Sequence, residues 1–95
     1  MTEISLENKL YVVEQYESCY HTSFPVSYHC SLSAAQARAV SLCPLPLQWA
    51  DWWTNVRGER ILRAEETADI ERDPQGYLPR VLPSDFSIRE VTVER

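Results

Sequence analysis

Glycine is scarce in this chain, which carries only Gly58 and Gly76. With so few, no glycine-rich loop for cradling phosphate can be built, and no Walker, Gly-x-Ser-x-Gly or His-Glu-x-x-His pattern occurs. No apolar run approaches the ~18 residues of a membrane span. The opening residues, Met1-Thr2-Glu3-Ile4-Ser5-Leu6-Glu7, are acidic and lack the basic and apolar regions of a secretory signal. A cytoplasmic location is the expectation. The three cysteines are an odd number, which reads as reduced thiols and not as a disulfide framework. Lysine is nearly missing: every basic residue except Lys9 is arginine, the residue better suited to bidentate, partly desolvated contacts. The formal net charge of −5 argues against direct nucleic-acid binding, because a sequence-independent binder needs a basic stripe to neutralise phosphates. These 95 residues are enough for one domain, residues 1–95, with a core of its own.

What the chain does have is tryptophan, all of it in Pro46–Val56. Read as a helix, Trp49, Trp52 and Val56 fall on one apolar stripe with Leu45 a turn earlier, and Trp53 lies on its shoulder. Pro46 suits the first turn of such a helix and Gly58 its left-handed cap. Trp49 and Trp52 are expected in the core. Trp53 is placed between core and interface, where it would pair with Arg57, since hot spots favour Trp, Tyr and Arg.

Around this segment the chain reads as strands and one further helix. Residues 1–8 read as a flexible lead-in. Lys9–Tyr16, rich in aromatic and β-branched residues, predicts a strand that could run on to His21. Thr22–Pro25 punctuates it, and Val26–Cys30 returns as the second arm of a hairpin. Pro25 suits a turn or an edge position. Ser33 and Gln36 form a capping-box pattern ahead of Ala34–Leu42, a run of high helix propensity in which Ala35, Ala39 and Leu42 share a face. Pro44 stops that helix. Glu59–Glu65 predicts a strand, and Phe86–Val93 another whose apolar phase changes between Ile88 and Val91, suggesting a bulge or a strand end. The connection from 66 to 85 is long and proline-punctuated, with Tyr77, Leu78, Val81 and Leu82 as apolar anchors; such loops are often functional. The sum is ββ-α(α)-ββ, an α+β fold with a small antiparallel sheet and one or two short helices on one face.

Three constellations bear on function. Cys19, His21, His29 and Cys30 could approach one another across the hairpin, depending on its register. Their spacing matches no usual zinc pattern, and no metal or cofactor is expected. The same residues, chiefly Cys19, His21 and His29, are the only route to a small metal- or thiol-dependent enzyme, and no oxyanion hole or orienting acid accompanies them. The acidic run Glu65, Glu66, Asp69, Glu71 and Asp73 reads first as a solvated edge. As a binding element it would mimic phosphate toward a protein partner with a basic surface. Finally, Tyr11, Tyr16, Tyr20 and Tyr28 populate the hairpin, Tyr16 and Tyr20 on one face, and exposed tyrosines mark recognition surfaces.

The layout resembles that of small phage-encoded inhibitors of the anti-CRISPR type. The likeness rests on the strand at Leu10-Tyr11-Val12-Val13, the short hairpin, and the helix opening at Ser31-Leu32-Ser33-Ala34-Ala35-Gln36-Ala37 before further strands. It covers the order of elements over roughly the first two-thirds of the chain and has no diagnostic motif. The resemblance implies a protein that binds and blocks a host nucleic-acid-handling complex and does no chemistry. The expectation is therefore a small acidic protein-binding module, contacting its partner through Glu65, Glu66, Asp69, Glu71, Asp73, Tyr77, Trp53, Arg57, Tyr16 and Tyr20. The alternatives are a small metal- or thiol-dependent enzyme using Cys19, His21 and His29, and a homodimeric structural subunit that buries an edge strand or Trp53.

Overall fold

The computed structural model describes residues 8–17, 19–66 and 82–93. Strands β1 (Asn8–Glu17) and β2 (Thr22–His29) form a hairpin, and helix α1 (Leu32–Leu42) follows at once. Two short strands come next, β3 (Leu47–Trp49) and β4 (Trp53–Thr54), and then β5 (Arg60–Glu66). A single 3-10 turn at Pro83–Asp85 leads into β6 (Phe86–Val93). The six strands make one antiparallel sheet in the order β2-β1-β6-β5-β3, and β4 also pairs with β5. The α+β class expected from the sequence is the class observed, with one helix against the sheet.

Alternation along the strands assigns every side chain to one of two faces. Tyr11, Val13, Leu62, Ala64, Phe86 and Ile88 point toward α1 and meet Ala35, Ala39 and Cys43 in the core. Ala35 and Ala39 are fully buried; with only a methyl group at each, the helix axis can lie close to the sheet. Ser31, not Ser33, caps the helix: its extended backbone turns its hydroxyl onto the Ala34 amide at 3.2 Å. At the other end the Cys43 amide donates to the Ala39 carbonyl, and Pro44 prevents a further turn.

The tryptophan segment is not a helix. Leu47–Trp49 runs extended beside Ala64–Glu66, and Trp53-Thr54 pairs with Arg60-Ile61. In extended chain neighbouring side chains diverge. Trp49 and Trp52 pack, partly buried, against the core as expected, while Trp53 pairs with Ile61 and shares its face. Val56, expected on an apolar stripe, sits fully exposed in the tight turn between β4 and β5. Gly58 does adopt a left-handed conformation (φ 82°), but in that turn and not as a helix cap. Asn55 organises the turn: its side-chain oxygen accepts from the Arg57 and Glu59 amides at 2.9 and 3.0 Å.

The first hairpin also turns elsewhere than expected. Glu17 faces Thr22 and Tyr11 faces His29, so the chain reverses between Glu17 and Thr22, with Cys19–His21 in the turn and His21 at a left-handed φ of 54°. Pro25 lies inside β2, on the outer edge of the sheet, where a missing amide hydrogen is tolerated. The bulge falls in this pair, between Val13 and Glu14, with Val26 as the additional residue. The last strand, where a bulge or a strand end was expected, pairs with β1 without interruption from Phe86 to Val93.

Candidate protein-binding face

The face of the sheet away from α1 has no described element packed over it. Register carries Tyr28, Val12, Arg89, Ile61 and Trp53 across it in one row, from β2 through β1, β6 and β5 to β4. Val12 is buried within this row. Around it, Tyr16, Val26, Tyr28 and Trp53 are exposed to between 38 and 63%.

An ion-pair clasp holds the centre of the face. The Arg89 guanidinium donates to Glu59 Oε2 at 2.8 Å and to Glu14 Oε1 at 3.3 Å, and so ties β1 and β6 to the start of β5. Partial burial works against the charge on Arg89. The hydrogen bond and attraction from Glu59, and the charge of Glu14, outweigh it and raise its pKa. Glu59 is held below the ordinary carboxylate range, first by a hydrogen bond from the Asn55 side chain and then by one from Arg89.

Beside the clasp lies a shallow cavity of about 300 Å³, with Tyr16 on one flank and Trp53 on the other. Glu14, Ile61 and Arg63 contribute to it, and Ser23, Ser84, Asp85 and Ser87 add polar groups. Arg63 stacks on the Trp53 ring, its guanidinium carbon 5.0 Å from the centroid. The partner expected for Trp53 was Arg57, but Arg57 is exposed in the turn after β4. Arg60 makes the equivalent contact with Trp52, at 4.6 Å, on the opposite face. Strand alternation is what separates Arg60 from Arg63, so reading 59–65 as a strand already held this signal; the misread helix obscured where the tryptophans would meet it.

The other candidate residues fall as follows. Tyr16 and Trp53 are brought together around the cavity. Tyr20 sits in the first hairpin turn, its ring edge-on to Phe24 with centroids 5.7 Å apart, and does not continue the strand face of Tyr16. Glu65 is exposed and, by alternation, shares the open face with Ile61 and Arg63. Glu66 is engaged within the chain: its Oε1 accepts from the Ser84 hydroxyl at 2.6 Å and from the Ser84 amide at 3.4 Å, and the hydroxyl bond is the main cause of its lowered pKa. Asp69, Glu71, Asp73 and Tyr77 lie outside the described residues.

The cysteine–histidine set is not assembled. Cys19 and His21 belong to the turn, whereas His29 and Cys30 are at the far end of β2. Eight residues of strand at ~3.3 Å each separate His21 from His29 by roughly 25 Å. No group of three or more His, Cys, Asp or Glu among the described residues is placed to hold a metal ion. No described helix is long and apolar enough to cross a membrane. No protein-family model, no curated protein and no solved structure matches this chain.

Proposed function

We propose that this chain is a small non-enzymatic protein-binding module that receives its partner on the open face of the sheet. The observation that carries this reading is the cavity flanked by Tyr16 and Trp53 and edged by Arg63, on a face that leaves aromatic side chains in water. Tyrosine, tryptophan and arginine are the residues that dominate binding energy at protein interfaces. A rigid sheet holds them in place, so little entropy is lost when a partner docks. Glu65 on the same face and the chain's negative charge favour a partner with a basic surface. The narrower form of the proposal is an inhibitor of a nucleic-acid-handling complex. It is supported by the acidic run beginning at Glu65 and by the layout resemblance to anti-CRISPR proteins.

The test is recovery of partners on immobilised protein from the native host, repeated with Trp53→Ala and with Glu65→Arg. A stoichiometric protein partner that is lost with Trp53→Ala and weakened by Glu65→Arg supports the proposal. Equal recovery on both variants overturns it. Charge reversal at Glu66 is the wrong probe, because it removes the bond to Ser84.

A further inference from the structure

The two lateral edges of the sheet differ in a way that bears on self-association. On the β5 side the edge is broken into β3 and β4, of three and two residues, separated by loop and preceded by Pro44 and Pro46. Short strands and prolines are the usual protection against strand addition. On the other side β2 is eight residues long, and among the described strands it pairs with β1 alone, so no described strand meets its outer backbone groups.

Charge is distributed just as unevenly. From Ser18 to Ala37 the chain contains no Asp, Glu, Lys or Arg, although a quarter of the protein (24%) is charged. That interval spans the first turn, the whole of β2 and the first half of α1. The large side chains there are exposed: Tyr20 71%, Phe24 43%, Val26 39% and Tyr28 63%. Depletion of charge with enrichment in aromatics is the composition of an interface core, most pronounced in homodimers.

We infer that β2 is a dimerisation edge and that its occupant is a second copy of this chain, paired antiparallel across a twofold axis near the middle of the strand. Two observations select a second copy. A neutral strand can face itself without setting like charges opposite one another, in a molecule whose net charge would otherwise oppose self-contact. Among the described strands β2 is the longer edge, and an isologous β2–β2 contact occupies that edge in both copies, so pairing closes at two copies and does not propagate into a fibre. Pro25 and the bulge at Val26 interrupt the edge, so the backbone bonds fall on either side of them and side-chain burial supplies the centre. The contact is centred on β2, at the opposite side of the sheet from Trp53, although Val26 and Tyr28 also border the open face.

The test is molar mass by light scattering and sedimentation over a range of concentrations, on wild type, Val26→Lys, Phe24→Lys and Trp53→Ala. The expected result is a reversible wild-type dimer. Val26→Lys brings two ammonium groups together near the axis and should weaken it by roughly a hundredfold or more. Phe24→Lys should weaken it independently, and Trp53→Ala should leave it intact. Far-UV circular dichroism checks that the lysine variants keep the fold. A wild type that is monomeric at every concentration overturns the inference. So does a dimer that both lysine variants retain, or one that Trp53→Ala dissolves.

Discussion

The two faces of the sheet are held together by opposite means. Toward α1, side chains with no polar atoms close over one another: Val13, Ile88, Ala35 and Ala39 are completely inaccessible and Phe86 is nearly so. Away from α1, the strands are joined by the Arg89 clasp to Glu14 and Glu59, set among aromatic groups that remain in water. One face carries the stability of the fold. The other is ordered by charge and leaves its apolar surface available. Substitutions toward α1 should therefore act on folding free energy alone, whereas those of the exposed aromatic groups on the other face should act chiefly on partner affinity.

The sharpest way to break this division is through the dry face. Phe86→Ala should cost about 3–5 kcal/mol in urea unfolding, through lost burial and the cavity left behind; a loss under about 1 kcal/mol would mean that the core is not where the packing puts it. Ala39→Leu should cost about 1–3 kcal/mol by forcing the helix off the sheet. Arg89→Met comes next. It leaves two carboxylates without their cation at a half-buried site and should cost about 1–2 kcal/mol, between the values for exposed and fully buried pairs.

Acid should act on the charged contacts and spare the core. Glu59 and Glu66 both have lowered folded-state pKa values. Their contribution is complete above the ordinary glutamate value and is lost as pH falls through the folded values, because the unfolded chain takes up protons first. Glu66→Gln should flatten the acid limb of the melting-temperature profile; an unchanged slope would remove Glu66 from this account. The smallest stability effect should belong to Trp53→Ala. Its exposed cation–π contact with Arg63 accounts for about 0.5–1 kcal/mol, while partner affinity collapses.

Much of this arrangement can be read from residue types. β1 and β6 show themselves by β-branched and aromatic content, and Pro44 ends α1 where expected. The Ala35/Ala39 stripe also identified the helix face correctly. The failures share one physical origin: local signals were outweighed by the sheet. Trp49, Trp52 and Val56 fit helical spacing, yet the segment pairs with Ala64–Glu66 and Arg60-Ile61 of β5, a partner distant in sequence that local spacing does not reveal. The adjacency of Trp52 and Trp53 was the available clue, since in a strand it sends one ring to each face. Pro25 suits a turn as well as an edge position, and placing the turn there shifts the hairpin and with it the Cys19/His21/His29 geometry. The Glu66–Ser84 bond was not legible at all, because nothing local links residues so far apart.

That bond gives the chain an engineering property. Glu66 closes β5 and Ser84 opens the approach to β6, and their side chains meet at 2.6 Å. Whatever sequence occupies positions 67–81 is thus spliced between two posts already fixed to one another. Doubling the length of a flexible insert there should cost only about 0.6 kcal/mol. The join between β5 and β6 is therefore set by the two strands themselves, and a linker of different length between these posts should leave the Glu66–Ser84 bond in place.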